Sequence, residues 1–104
     1  MEAALDKQAT DILMLDIRKL TSFADYFVVC SAESDRQISA ICDEIDKVLS
    51  KAGVSLYRRE GTEDSGWVLF DFGQVIVHVF APSQREYYDI EQLWSKATPV
   101  IRIL

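Results

Sequence analysis

The sequence predicts an α+β fold: a single mixed β-sheet of about five strands with helices packed mainly on one face. Three observations predict it. Runs rich in β-branched and aromatic residues recur along the chain, as in "DILMLDI" and "YFVVCSA". Between them and the next such run, Ser34 to Gly53 places its apolar residues at helical spacing. Finally, "GWVLFDFGQVIVHVF", Gly66 to Phe80, is two apolar runs around a glycine, which is a hairpin pattern. The resulting order, α-β-β-α-β-β-β-α, suits one partly antiparallel sheet with helices laid on it.

The elements follow in order. A short helix is expected over "AALDKQAT", residues 3–10. Residues 11–17 form a first strand; Ile12, Leu13, Met14, Leu15 and Ile17 scarcely alternate, so both its faces are expected to be buried. "RKLTSFAD" connects it to a second strand over residues 26–32. The helix from Ser34 has a capping box, Ser34 with Gln37, and Asp35 and Lys51 in the first and last turns to suit its dipole. Ile38, Ile41, Ile45, Val48, Leu49 and Ala52 make its apolar stripe, Asp43, Glu44, Asp46 and Lys47 its solvated face, and Gly53 its stop. "VSLYR" reads as a short third strand and "REGTEDSG" as a polar loop. After the hairpin, ended by Pro82, "SQREYYDIEQLWSKA" is irregular and helical, and Pro99 closes it. "VIRIL" is an edge strand or a contact segment.

Size and charge bound the function. The 104 residues, 49% of them hydrophobic, make one small domain, 1–104, with a real core. A net charge of −6 argues against direct, sequence-specific grip on nucleic acid, which needs an excess of Lys and Arg, but it suits a basic protein partner. No apolar run is long enough to span a membrane, and "MEAALDKQATD" lacks the basic start and apolar run of a secretory signal. Cys30 and Cys42 match no metal spacing and read as reduced structural thiols, so a cytoplasmic protein with neither metal nor cofactor is expected.

The hairpin has two unlike faces. With a two-residue turn at Gly73 and Gln74, Phe72 faces Val75 and Trp67 faces Phe80. Val68, Phe70, Phe72, Val75, Val77 and Val79 then share one apolar face, which the helix stripe covers. Trp67, Leu69, Asp71, Ile76, His78 and Phe80 share the other. That second face is aromatic, nearly uncharged, and carries one carboxylate and the only histidine. It is either the centre of an interface or a surface roofed by a second helix layer.

Enzyme chemistry finds little footing. Asp71 and His78 lie close enough across the hairpin for a hydrogen bond of the kind that orients a catalytic base. No G-x-S-x-G or Walker loop supplies a nucleophile or a phosphate cradle. Metal-dependent nucleotidyl transfer wants two carboxylates two apart on a strand. Asp43–Asp46 and Asp89–Glu91 lie on or beside helices, and the neighbours of Asp71 at that spacing are Leu69 and Gly73. No catalytic residue is assigned.

The combined motifs resemble the ribosomal silencing factor family, also called Iojap, over roughly residues 4–96. The resemblance rests on Ala24-Asp25-Tyr26-Phe27, Ser34-Asp35-Arg36-Gln37, Trp67-Val68, Val77-His78-Val79-Phe80, Arg85 with Tyr87-Tyr88, and Leu93-Trp94. Gln74 stands where the family often has an acidic residue, Ala32-Glu33 where it often has Gly-Thr, and the tail after Pro99 carries no family motif. The resemblance implies a nucleotidyltransferase-like fold without that fold's catalytic residues. It implies binding to the large ribosomal subunit at its protein number fourteen, on the subunit-joining face, so that the small subunit is blocked and translation is damped when nutrients are short. On that expectation Trp67, Leu69, Asp71 and His78, with Tyr88 and Trp94 nearby, meet the ribosomal protein; Tyr87, Tyr88 and Trp94 could alternatively pack the last helix onto the sheet. A small nucleotidyltransferase-like enzyme or nucleotide binder is the competing reading, and a homodimer contact through the aromatic face a third.

Overall fold

The computed structural model describes residues 9–22 and 24–103, with residues 63 and 93 as backbone alone. Its elements are β1 (Thr10–Asp16), β2 (Tyr26–Ser31), α1 (Asp35–Lys51), β3 (Arg58–Glu60), β4 (Trp67–Asp71), β5 (Val75–Phe80), α2 (Pro82–Tyr88), α3 (Ile90–Leu93) and β6 (Thr98–Ile103). They build one α+β layer system around a mixed, open sheet of order β3-β4-β5-β2-β1-β6. β2 and β5 run parallel, with α1 in the crossover between them, and every other neighbouring pair is antiparallel.

Local chemistry explains most boundaries. α1 starts where the Ser34 hydroxyl accepts the Gln37 N–H at 3.1 Å and the Gln37 side-chain oxygen accepts the Glu33 N–H at 2.8 Å. Its Ile38, Ile41, Cys42 and Ile45 are buried against Val28, Cys30, Val68, Phe70, Val77 and Val79 of the sheet. The stripe ends sooner than the sequence suggests: Val48 and Ala52 are exposed, because the helix has by then run past the strands beneath it. β1 is buried on both sides as expected, with Ile12 in the cluster under α1 and Leu13 and Leu15 in a second cluster behind it.

Two differences from the sequence reading have physical causes. The third strand forms at Arg58–Glu60, so Val54, Leu56 and Tyr57 of "VSLYR" lie exposed ahead of it. A short strand opposite Leu69, Phe70 and Asp71 is selected by its pairing partners, not by its own composition. The tail is an edge strand, and Pro99 lies inside it opposite Leu15 instead of closing a helix. An edge tolerates a residue without an N–H, and this sixth strand is the one the count of about five left open. The helix expected over residues 3–10 falls mostly outside the described residues; its last position, Thr10, opens β1.

The hairpin matches the expected register throughout. Trp67 pairs with Phe80, Val68 with Val79, Leu69 with His78, Phe70 with Val77 and Asp71 with Ile76, and the Phe72 N–H donates to the Val75 carbonyl at 3.0 Å. Gly73 turns with φ +86° beneath the Tyr57 ring, where a Cβ would come within 2.5 Å of a ring carbon. No helix among the described residues is long and apolar enough to cross a membrane.

Candidate functional site: the aromatic face of the sheet

On the face away from α1, β4 and β5 present the second side-chain set of the hairpin, joined by Phe27 of β2. The rings form a connected array. Trp67 stacks on Phe80 with centroids 5.1 Å apart and meets Tyr88 of α2 at 4.5 Å. His78 lies parallel to Phe80 at 5.8 Å and meets the edge of Phe27 at 5.1 Å; Phe27 in turn meets Trp94 edge-on at 5.0 Å. Pairwise geometries of this kind add roughly 0.5–1.5 kcal/mol each beyond area burial, so the array is a stiff platform.

The structure therefore brings Trp67, Leu69, His78, Tyr88 and Trp94 together, and it gives them different positions. Trp67, Leu69, Asp71 and Trp94 are half-buried, and Tyr88 is exposed. His78 is the correction. It is only 4% exposed, enclosed by Phe27, Phe80 and Trp67, so it does not present itself to a partner. Its Nδ1 accepts the Trp67 indole N–H at 3.1 Å. An indole N–H only donates, so the imidazole is neutral with its proton on Nε2. Burial agrees, pushing the pKa down from 6.5 to about 4. Nε2 has no hydrogen-bond partner among the described residues. His78 thus holds the rotamer of Trp67 from below.

The expected hydrogen bond between Asp71 and His78 does not form. The Asp71 carboxylate instead accepts the Gly73 N–H at 2.8 Å and caps the hairpin turn. The reason is distance along the ladder: Asp71 pairs with Ile76, and His78 with Leu69. The two residues that suggested an acid–base pair each have a structural partner elsewhere.

The second face is partly roofed by the chain itself. α2 starts where the Ala81 N–H donates to the Gly66 carbonyl at 2.9 Å. Gly66 allows that close approach, since a Cβ there would come within 2.6 Å of Gln84 Cγ. α3 then lays Ile90 on Leu13, Leu15, Phe27 and Phe80, and Trp94 follows. Tyr88 and Trp94 each pack against rings of the sheet face, and each keeps exposed surface at the border of the open area.

One polar cluster escaped the sequence reading. Arg85, only 8% exposed, donates through Nη1 to the Asp11 carbonyl at 2.7 Å and to the Ser31 hydroxyl at 2.8 Å, and through Nε to the Glu91 carboxylate. Asp11 has φ +45° at a bulge in β1 and holds Arg102 of β6 with both carboxylate oxygens, at 2.8 and 2.9 Å. The Arg102 hydrogen bond, then the charge of Arg85, hold its carboxyl below the usual carboxylate range against the opposing cost of burial. The available signal was a charged residue opening an otherwise apolar strand. Its partners lie far along the chain, which spacing does not reveal. Among the described residues no three of His, Cys, Asp and Glu gather closely enough to hold a metal ion. Burial pushes the Cys30 thiol up to about 12, which leaves it a packing residue.

A mixed open sheet with helices on it and an aromatic array at one face define the fold as an α+β domain. The family model described as "Ribosomal silencing factor during starvation" matches residues 1–103, and the chain belongs to that family. A ribosomal silencing factor RsfS from Bacillus subtilis is 44% identical over 88% of this chain and 78% of its own length. The chloroplastic Iojap protein of Zea mays is 36% identical over 95% of this chain and 43% of its own. A crystal structure of a Chromobacterium violaceum protein superposes with a TM-score of 0.86 at 44% identity, covering 90% of this chain and 78% of that one. One from Bacillus halodurans gives 0.84 at 37% identity, covering 96% and 90%.

Proposed function

We propose that this chain binds the large ribosomal subunit in the cytoplasm, at its protein number fourteen on the subunit-joining face. Bound there it blocks the small subunit by bulk and represses translation when nutrients are limiting. The half-buried Trp67 carries the reading. It is a large ring fixed by His78 and Phe80 beneath and Tyr88 beside it, with its outer side open. Rigid, partly desolvated tryptophans surrounded by other apolar groups are typical interface anchors. Leu69, Asp71, Tyr88 and Trp94 complete the contact surface, and His78 acts through Trp67.

The net charge of −6 favours a basic ribosomal protein over the surrounding RNA, whose phosphates repel an acidic domain. An interface of ordinary size, about 1,600 Å² in total, suffices for steric exclusion. The family membership and the names of the relatives support the ribosomal setting. Co-sedimentation with isolated large and small subunits, followed by a subunit-joining assay, tests it. The expected result is pelleting with large subunits and reduced joining; pelleting with neither subunit rejects the reading.

A further inference from the structure

Arg85 is a buried side chain with hydrogen bonds to several elements, although its Nη2 has no hydrogen-bond partner among the described residues, and it lies on the helix that carries Tyr88. Its guanidinium reaches three elements besides its own: the main chain and carboxylate of Asp11 in β1, the latter at 3.5 Å, Ser31 in β2, and Glu91 in α3. Through Asp11 it is coupled to Arg102 in β6. A buried cation without such partners is costly, so the carboxylates on β1 and α3 fix where Arg85 can sit. Where Arg85 sits fixes α2. One turn later on the same helix, Tyr88 closes against Trp67. α2 is also held at its start, where the Ala81 N–H donates to the Gly66 carbonyl, and Arg85 adds the polar hold in its middle.

We propose that Arg85 is a positioning residue for the aromatic face: its fork between Asp11, Ser31 and Glu91 sets the angle of α2 and so keeps Tyr88 against Trp67. The function assigned to it rests on the reading of that face as the ribosomal contact. The planar fork is what matters. A lysine carries the same charge, but its ammonium is a single point that cannot serve β1, β2 and α3 in the same geometry.

The test compares Arg85→Lys with Ile45→Val, a change on the opposite, helix-covered side, under conditions where the two melt at matched temperatures. Two readouts are used: the share of the near-UV circular dichroism that Trp67→Phe removes, and affinity for isolated large subunits. Arg85→Lys is expected to keep its far-UV spectrum and a cooperative melt, to lose that near-UV share, and to bind about tenfold more weakly; Ile45→Val keeps both. If Arg85→Lys does not fold, Glu91→Gln, which retains the guanidinium and removes one partner, is expected to show the same two losses at smaller size. The wild-type near-UV signal and affinity in a folded Arg85→Lys or Glu91→Gln overturn the proposal, as does equal loss in Ile45→Val. Should the wild type not bind large subunits at all, the ribosomal reading fails, and the near-UV comparison still decides whether Arg85 positions α2.

Discussion

The two faces of the central hairpin are built from alternate residues of the same strands, yet they do different work. Under α1, Val68, Phe70, Val77 and Val79 are buried by aliphatic side chains of a long helix. On the other face, His78 and Phe80 are buried and Trp67 is half-buried, packed against one another's rings and beside two short helices. Aliphatic residues under a helix gain stability through area removed from water. Rings stacked in an open array gain rigidity and keep surface available to a neighbour. The contrast is not absolute: beside the last turns of α1, Leu49 with Met14, Val28, Phe72 and Val75 borders an apolar groove of about 490 Å³ on the helix side. One face is thus buried by an aliphatic helix, and the other, also part of the core, is the one we propose is held in shape for contact.

If that division is right, substitutions on the two faces separate stability from binding. The largest effect is expected from Ile41→Ala, fully buried on the inner side of α1, which should cost about 3–4 kcal/mol of stability by urea unfolding. The folded fraction should bind large subunits as the wild type does. An affinity loss in excess of the unfolded fraction would break the division.

His78 sharpens it through pH. In the unfolded chain the imidazole takes a proton near 6.5, and in the folded chain only near 4. Between those values the unfolded state holds the extra proton, so stability falls as pH drops from 6.5 to 4, by about 3 kcal/mol. His78→Gln should flatten unfolding free energy across that window; an unchanged slope would remove His78 as its cause. The lowered carboxyl of Asp11 adds a further loss at still lower pH, as its folded-state value is passed.

Trp67→Ala should weaken large-subunit binding by roughly 30-fold, about 2 kcal/mol, in a protein whose far-UV spectrum is unchanged. Undiminished affinity would take Trp67 out of the contact. Smallest of all, Ser34→Ala at the α1 cap should cost about 1 kcal/mol of stability and nothing in binding.

Much of this was legible in the chain. The hairpin partition followed from parity and one glycine, because alternation in a strand is fixed by backbone geometry. The α1 boundaries followed from Ser34, Gln37 and Gly53, since capping is settled within a few residues. The motifs around Trp67, His78 and Tyr88 located the candidate site and the family. Less was legible where the partner was distant. "VSLYR" has good strand composition, but the strand forms one step later, where β4 offers a pairing edge. Asp71 and His78 looked like a pair, and the register gave each a different neighbour.

By itself, then, the sequence determined the α+β class, the capped helix and the two hairpin faces, because each depends on periodicity or on neighbours close along the chain; Phe27 joins the aromatic array only through the pairing of β2 with β5. The tertiary structure alone decided that His78 is covered while Trp67 stays half open, and that Asp11, Arg85, Glu91 and Arg102 meet in one cluster. Those outcomes depend on which distant elements stack over the sheet, and burial is a property of that stacking, not of any residue's own chemistry.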